Sequence, residues 1–120
     1  MKNTELNLID IQIALERVDN DISLYKILIN AFLEDSSFSP ETMVKLVADT
    51  INGNGDTTEI ASKYVHHMKG AAAQLGANIL ADKAQTLENV LRGKEQGDSK
   101  KLAEEVQLLY HNTCNELRKI

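Results

Sequence analysis

The stretch Tyr64-Val65-His66-His67-Met68-Lys69-Gly70-Ala71-Ala72-Ala73-Gln74-Leu75-Gly76 carries the most information in the chain. On a helical wheel at about 100° per residue with Met68 at zero, Tyr64, Val65, Ala71, Ala72 and Leu75 fall within about 80° of Met68. The upstream Ile60 and Ala61 join the same arc, which is predicted to be buried. His66 lies about 160° from Met68, nearly opposite the core, and His67 about 100° away on the flank. His66 is therefore expected in solvent, with Ser62, Gly70 and Ala73 as small neighbours and Lys63 and Lys69 as basic ones. A mid-helix glycine costs about 1 kcal/mol relative to alanine. At Gly70 the missing side chain leaves open space one turn from the imidazole.

Working outward, the turn signals divide the chain into six helical segments with apolar residues three or four apart. The first spans about Leu8 to Val18, with Leu8, Ile11, Leu15 and Val18 on its stripe. The second, about Asp21 to Asp35 and capped by Asn20, has a wide apolar arc from Ile22 to Leu33. Ser39 followed by Pro40 starts a third that runs to about Ile51. After the loop Asn52-Gly53-Asn54-Gly55, Asp56 and Glu59 have the spacing of a capping box for the fourth, Thr57 to Leu75. Gly76 stops it. A fifth runs from Ala77 to about Arg92 and ends at Gly93; Asp98 or Ser99 caps a sixth, striped by Leu102, Val106, Leu109, Tyr110, Thr113 and Leu117. Short links between long helices make successive helices antiparallel. The predicted fold is all-α: an antiparallel up-and-down four-helix bundle with additional N-terminal helices, one domain over residues 1–120.

The turn near Gly76 and Ala77 also relates two distant residues. In an antiparallel pair, positions equally spaced about the turn return to the same level, so Glu88 lies level with His66. Glu88 sits about 100° from the core position Leu87, at the edge of the stripe facing the neighbouring helix. A carboxylate that accepts from one imidazole nitrogen fixes the tautomer and makes the other nitrogen more basic. His66 with Glu88 behind it, Lys69 beside it and Gly70 below it has the parts of a nucleophilic site. Periodicity alone also fits an ordinary surface histidine. Adjacent histidines diverge by about 100° and do not share an ion as His-x-x-x-His does, so no metal site is assigned. His111 is far from any cysteine or histidine pair and reads as solvated.

Composition narrows the function classes. At 120 residues the chain has the length of one domain and can bury a core without disulfides or a structural metal. Its single cysteine, Cys114, has no partner in the chain and fits a reducing compartment. Asp and Glu number 18 against 13 Lys and Arg, giving a net charge of -5, and a nucleic-acid partner would need a clustered basic surface instead. Neither alternating strand segments nor a phosphate-binding glycine loop is present, so an ordinary nucleotide-dependent enzyme is not expected. No apolar run approaches the roughly 20 residues that cross a bilayer, and Met1 to Asn7 is too polar for a signal peptide. The expected compartment is the cytoplasm, without membrane insertion.

The run from His66 to Gly70, continuing through Ala72 to Leu75-Gly76-Ala77, resembles the H-x-[LM]-K-G-x-A-x-x-[LI]-G signature of histidine-containing phosphotransfer domains. Ile9-Asp10, Ala14-Leu15, Arg17, Asp21, Leu24-Tyr25, Leu28 and Phe32 are similar to that family's N-terminal segment, and Leu80, Ala84 and Leu87-Glu88 to its next helix. The resemblance implies a phosphorelay intermediate of two-component systems. His66 would accept a phosphoryl group on Nε2 from a receiver-domain aspartate and pass it to another. Lys69 would steady the phosphoryl oxygens, Gly70 clear space for the receiver, and Glu88 hold the other ring nitrogen. Ser62, Lys63, Ala73 and Gln74 would line the docking face. Such a domain is a phosphocarrier without its own ATP site or cofactor; the partner receiver brings Mg²⁺. The implied partners are receiver domains of response regulators and of a hybrid sensor kinase, met by a monomer. Two rival readings are a non-catalytic helical interaction module and a histidine kinase dimerisation domain, which would need two chains to close one bundle.

Overall fold

The computed structural model describes residues 7–51 and 55–120. Among them are six helices and no strand: α1 (Ile11–Glu16), α2 (Ile22–Leu33), α3 (Pro40–Thr50), α4 (Gly55–Gln74), α5 (Asn78–Leu91) and α6 (Ser99–Leu117). Helix α3 packs beside α4 and α6, and α5 beside the same two, so the last four helices close a bundle. Helices α1 and α2 pair with each other and pack onto it. The all-α architecture is the one read from the sequence.

Local chemistry sets the helix ends. Asp10, Asp21, Ser39 and Asp98 each accept, through the side chain, the backbone N–H three residues on, satisfying a donor that the first turn leaves free. Asp21, not Asn20, caps α2, because Asp19 and Asn20 take left-handed backbone conformations (φ 54° and 61°) that close α1. Helix α1 is also shorter than its apolar spacing suggests, and its buried residue is Ala14 while Ile11 lies exposed. Helix α4 is already helical at Gly55, so Asp56 occupies its first turn instead of preceding it. Residues 52–54 of the expected loop, and most of the Met1 to Asn7 segment, lie outside the described residues.

The core runs along the bundle axis through Met43, Val47, Val65, Met68, Leu80, Leu87, Val106 and Leu117. Four of the five aromatic residues meet at one end. Phe38 stacks on Tyr64 at 4.9 Å and meets Tyr110 at 5.1 Å, and Phe32 meets Tyr110 at 5.5 Å. The Ser39 N–H donates to the Tyr64 hydroxyl at 2.7 Å, which ties the α2–α3 connection to α4. Burial on α4 departs from the predicted arc in two places. Ser62 is 2 % exposed, and its hydroxyl donates to the Glu59 carbonyl; Ile60 is 54 % exposed. Ser62 shares the side of the wheel from which Lys69 reaches α5, so packing against α5 rotates the buried arc that way and uncovers the opposite edge.

The α4–α5 turn is a Schellman closure. The Gly76 N–H donates to the Ala73 carbonyl and the Ala77 N–H to the Ala72 carbonyl, both at 3.0 Å, with Gly76 at φ 82°. The N-terminal helices add three donors to the same helix end. The Asp10 N–H bonds the Gly76 carbonyl at 2.8 Å, the Tyr25 hydroxyl the Leu75 carbonyl at 2.9 Å, and Arg17 Nη1 the Ala73 carbonyl. A Cβ at position 76 would drive into the Asp10 carbonyl. Gly93 also has positive φ, but a Cβ there would meet nothing. Gly76→Ala should therefore lose more than the roughly 1–3 kcal/mol that a strained φ costs, whereas Gly93→Ala should lose only that strain. Urea unfolding of the two variants measures the difference; equal losses would mean that the Asp10 contact contributes nothing.

Candidate functional site

The α4–α5 hairpin brings His66 and Glu88 together. His66 stands on the outer face of α4 with 61 % of its side chain exposed, and its Nδ1 lies 3.1 Å and 3.2 Å from the two carboxylate oxygens of Glu88. Glu88 projects from α5 into the seam and is 5 % exposed. Two cations share this carboxylate with the imidazole: Lys69 Nζ lies 3.1 Å from Oε1, and Arg92 Nε lies 3.0 Å from Oε2. Lys69 also donates to Gln85 Oε1 at 2.6 Å, and Gln85 in turn donates to Asn89 at 2.9 Å. Gly70 leaves open space, with nothing within 4 Å of a Cβ built there.

The other residues singled out in the sequence are distributed unevenly. Lys63 is exposed and paired with Glu59 at 3.1 Å, one turn back along α4. Gln74 is exposed, and Ala73 is half-buried with its carbonyl held by Arg17. Ser62 is enclosed in the packing and does not contribute to an exposed face. Lys69 is not a free surface cation: only 18 % of its side chain is exposed, and its ammonium is turned onto α5. His67 points to the other flank, 3.8 Å from Asp35 at the end of α2. His111 is not simply solvated, because its Nε2 lies 2.8 Å from Glu41 across the α3–α6 seam. Gln85 and Arg92 were not legible as site residues from the motif. The signal for Arg92 was its spacing: four residues after Glu88 on one helix, it reaches the carboxylate.

Electrostatics define what this arrangement can do. Burial alone would raise the Glu88 carboxyl, but hydrogen bonds from Lys69 and His66 and the Lys69 charge outweigh it and hold the group below its ordinary range. An ionised carboxylate only accepts, so the Nδ1 facing Glu88 carries the proton. In the neutral ring the in-plane lone pair is then on Nε2, the nitrogen turned away from Glu88. The result is an oriented imidazole beside an electropositive pair, with open space over Gly70. Among the described residues no group of three or more His, Cys, Asp or Glu is placed to hold a metal ion. None of the described helices is long and apolar enough to cross a membrane.

The family model of the Hpt domain matches residues 28–119. The chain belongs to this family. The matched span takes in every residue of the His66 cluster and leaves out α1 and the first half of α2. No curated protein and no solved structure matches the chain. Hpt domains are histidine phosphotransfer carriers of two-component phosphorelays, they interact with receiver domains, and they work without an ATP site of their own.

The Glu88 network of this Hpt domain has a pH consequence. A carboxylate whose folded value is depressed adds stability above its unfolded value, near 4.5, and loses it as pH falls through the lowered folded value. Glu88→Gln should therefore flatten the acid limb of the stability curve below about pH 5. Thermal unfolding between pH 3 and pH 7 tests this, and an acid limb as steep as in the unsubstituted domain would assign the acid sensitivity to other carboxylates.

Proposed function

We propose that this Hpt domain accepts a phosphoryl group on Nε2 of His66 from a receiver aspartyl phosphate and returns it to a second receiver aspartate. The observation that carries the reading is the pairing of His66 Nδ1 with the buried Glu88, which fixes the ring with Nε2 turned away from the seam. The Nε2 lone pair attacks phosphorus, the P–O bond of the aspartyl phosphate breaks, and the aspartate leaves as a carboxylate. No proton has to move, because the leaving carboxylate is weakly basic and Nδ1 keeps its hydrogen. The ring gains positive charge as the bond forms, and Glu88 lies 3.1 Å from the nitrogen that shares it. Lys69 supplies the nearest mobile cation for the phosphoryl oxygens.

The chain needs no nucleotide or metal of its own for this step; Mg²⁺ would come with the receiver. Receivers of response regulators and of a hybrid sensor kinase are the proposed partners, meeting a monomeric, cytoplasmic domain. Gly70, Lys63, Ala73 and Gln74 lie on the approach, and contact over this face would exclude water from the reacting atoms. Ser62 has no part in it.

His66→Gln should abolish acid-labile, alkali-stable phosphate uptake from a phosphorylated receiver while helical content stays intact. His67→Gln should leave uptake in place; the reverse pattern would sink the assignment. Lys69→Ala should slow transfer without unfolding the bundle. Gly70→Ala separates fold from function: filling open space on a helix should raise stability by about 1 kcal/mol while hindering the receiver. A Gly70→Ala domain that transfers at the original rate would remove the steric role of that position.

A further inference from the structure

We infer that Arg92 is a positioning residue that holds Glu88 on His66 while Lys69 moves from Glu88 to the phosphoryl group. This rests on the phosphotransfer reading and adds a division of labour between the two cations. Before transfer the carboxylate is shared: Lys69 takes Oε1 at 3.1 Å and Arg92 takes Oε2 at 3.0 Å, with Nδ1 near both oxygens. Attack by Nε2 changes the charges on both sides of the ring. The phosphoryl group arrives carrying negative charge, and the ring, still bearing its Nδ1 hydrogen, becomes cationic. Glu88 then has a new positive partner in the ring, and Lys69 a new negative partner in the phosphoryl oxygens.

Lys69 is built to change partners. Its ammonium ends a flexible four-carbon stem and is held by hydrogen bonds to Gln85 and Glu88 that a dianionic group outcompetes. Its departure leaves Oε1 without that donor. Arg92 cannot follow, because it lies on the same helix as Glu88, four residues away at the C-terminal cap of α5. It therefore keeps Oε2 in place and the carboxylate aimed at Nδ1. The charged groups around His66 are Lys69 on its own helix and Glu88 and Arg92 from α5; Lys63 is engaged by Glu59, and Asp35 after α2 faces His67 instead.

The test uses the whole chain with potassium phosphoramidate as phosphodonor, so that receiver docking does not enter. Uptake rates at saturating donor and the 15N shift of the His66 Nδ1 are compared in the unsubstituted protein, Arg92→Ala and Arg92→Lys. Arg92→Ala should slow uptake about tenfold, the scale on which groups orienting a reactive imidazole act. Its Nδ1–H signal should be normal before phosphorylation, when Lys69 still holds Glu88, and perturbed afterwards. Arg92→Lys should restore both. An Arg92→Ala protein with an unchanged rate and an unchanged Nδ1 signal after phosphorylation overturns the inference alone. An unsubstituted protein that takes no phosphate on His66 from phosphoramidate or from a phosphorylated receiver overturns the phosphotransfer reading and the inference together.

Discussion

Everything at the site depends on the reversal of the chain at Gly76. Helix α4 turns directly into α5 there because residue 76 takes a left-handed conformation and has no side chain to meet the Asp10 carbonyl. The turn sets the register of the hairpin, and the register places position 88 level with position 66. One residue more or less in the turn would rotate α5 by about 100° and carry Glu88 away from the imidazole. The N-terminal helices secure this constraint. Asp10, Arg17 and Tyr25, far away in sequence, donate to the carbonyls of Gly76, Ala73 and Leu75, at the end of α4 and in the turn that follows it.

A carboxylate buried in a helix seam would be a liability if left unpaired. Glu88 is accepted there because His66, Lys69 and Arg92 surround it, and together they make a cluster of net charge +1 with the imidazole neutral. That local excess stands on a chain of net charge -5. The same three partners that make burial tolerable also orient the ring, so stability and chemistry rest on one set of contacts. The lowered titration of Glu88 and the orientation of the His66 ring have a common origin.

The elements recovered well from sequence are those with strong local signals. Ser39-Pro40 opens α3, Asp98 caps α6, and the glycines close α4 and α5, because side-chain oxygens and positive φ act within three or four residues. Errors came where a helix touches more than one neighbour. A wheel centred on Met68 puts Ser62 in solvent and Ile60 in the core, whereas contact with α5 turns the buried arc toward Ser62 and away from Ile60. Local sequence also offers Asn20 as the cap of α2, but its left-handed backbone closes α1 and Asp21 caps α2 instead.

By itself the sequence determined the helices, their order, the exposure of His66 and the level of Glu88 beside it. Those follow from 3.6-residue periodicity and from a tight turn, both local properties of the chain. Only the tertiary structure decided how the charges are shared. Lys69, which the wheel placed among the outer residues, lies over the seam on Gln85 and Glu88, and Arg92 completes the clasp from the end of α5. Long, flexible cationic side chains choose partners by where buried negative charge is found, and the position of that charge exists only once α4 and α5 have packed.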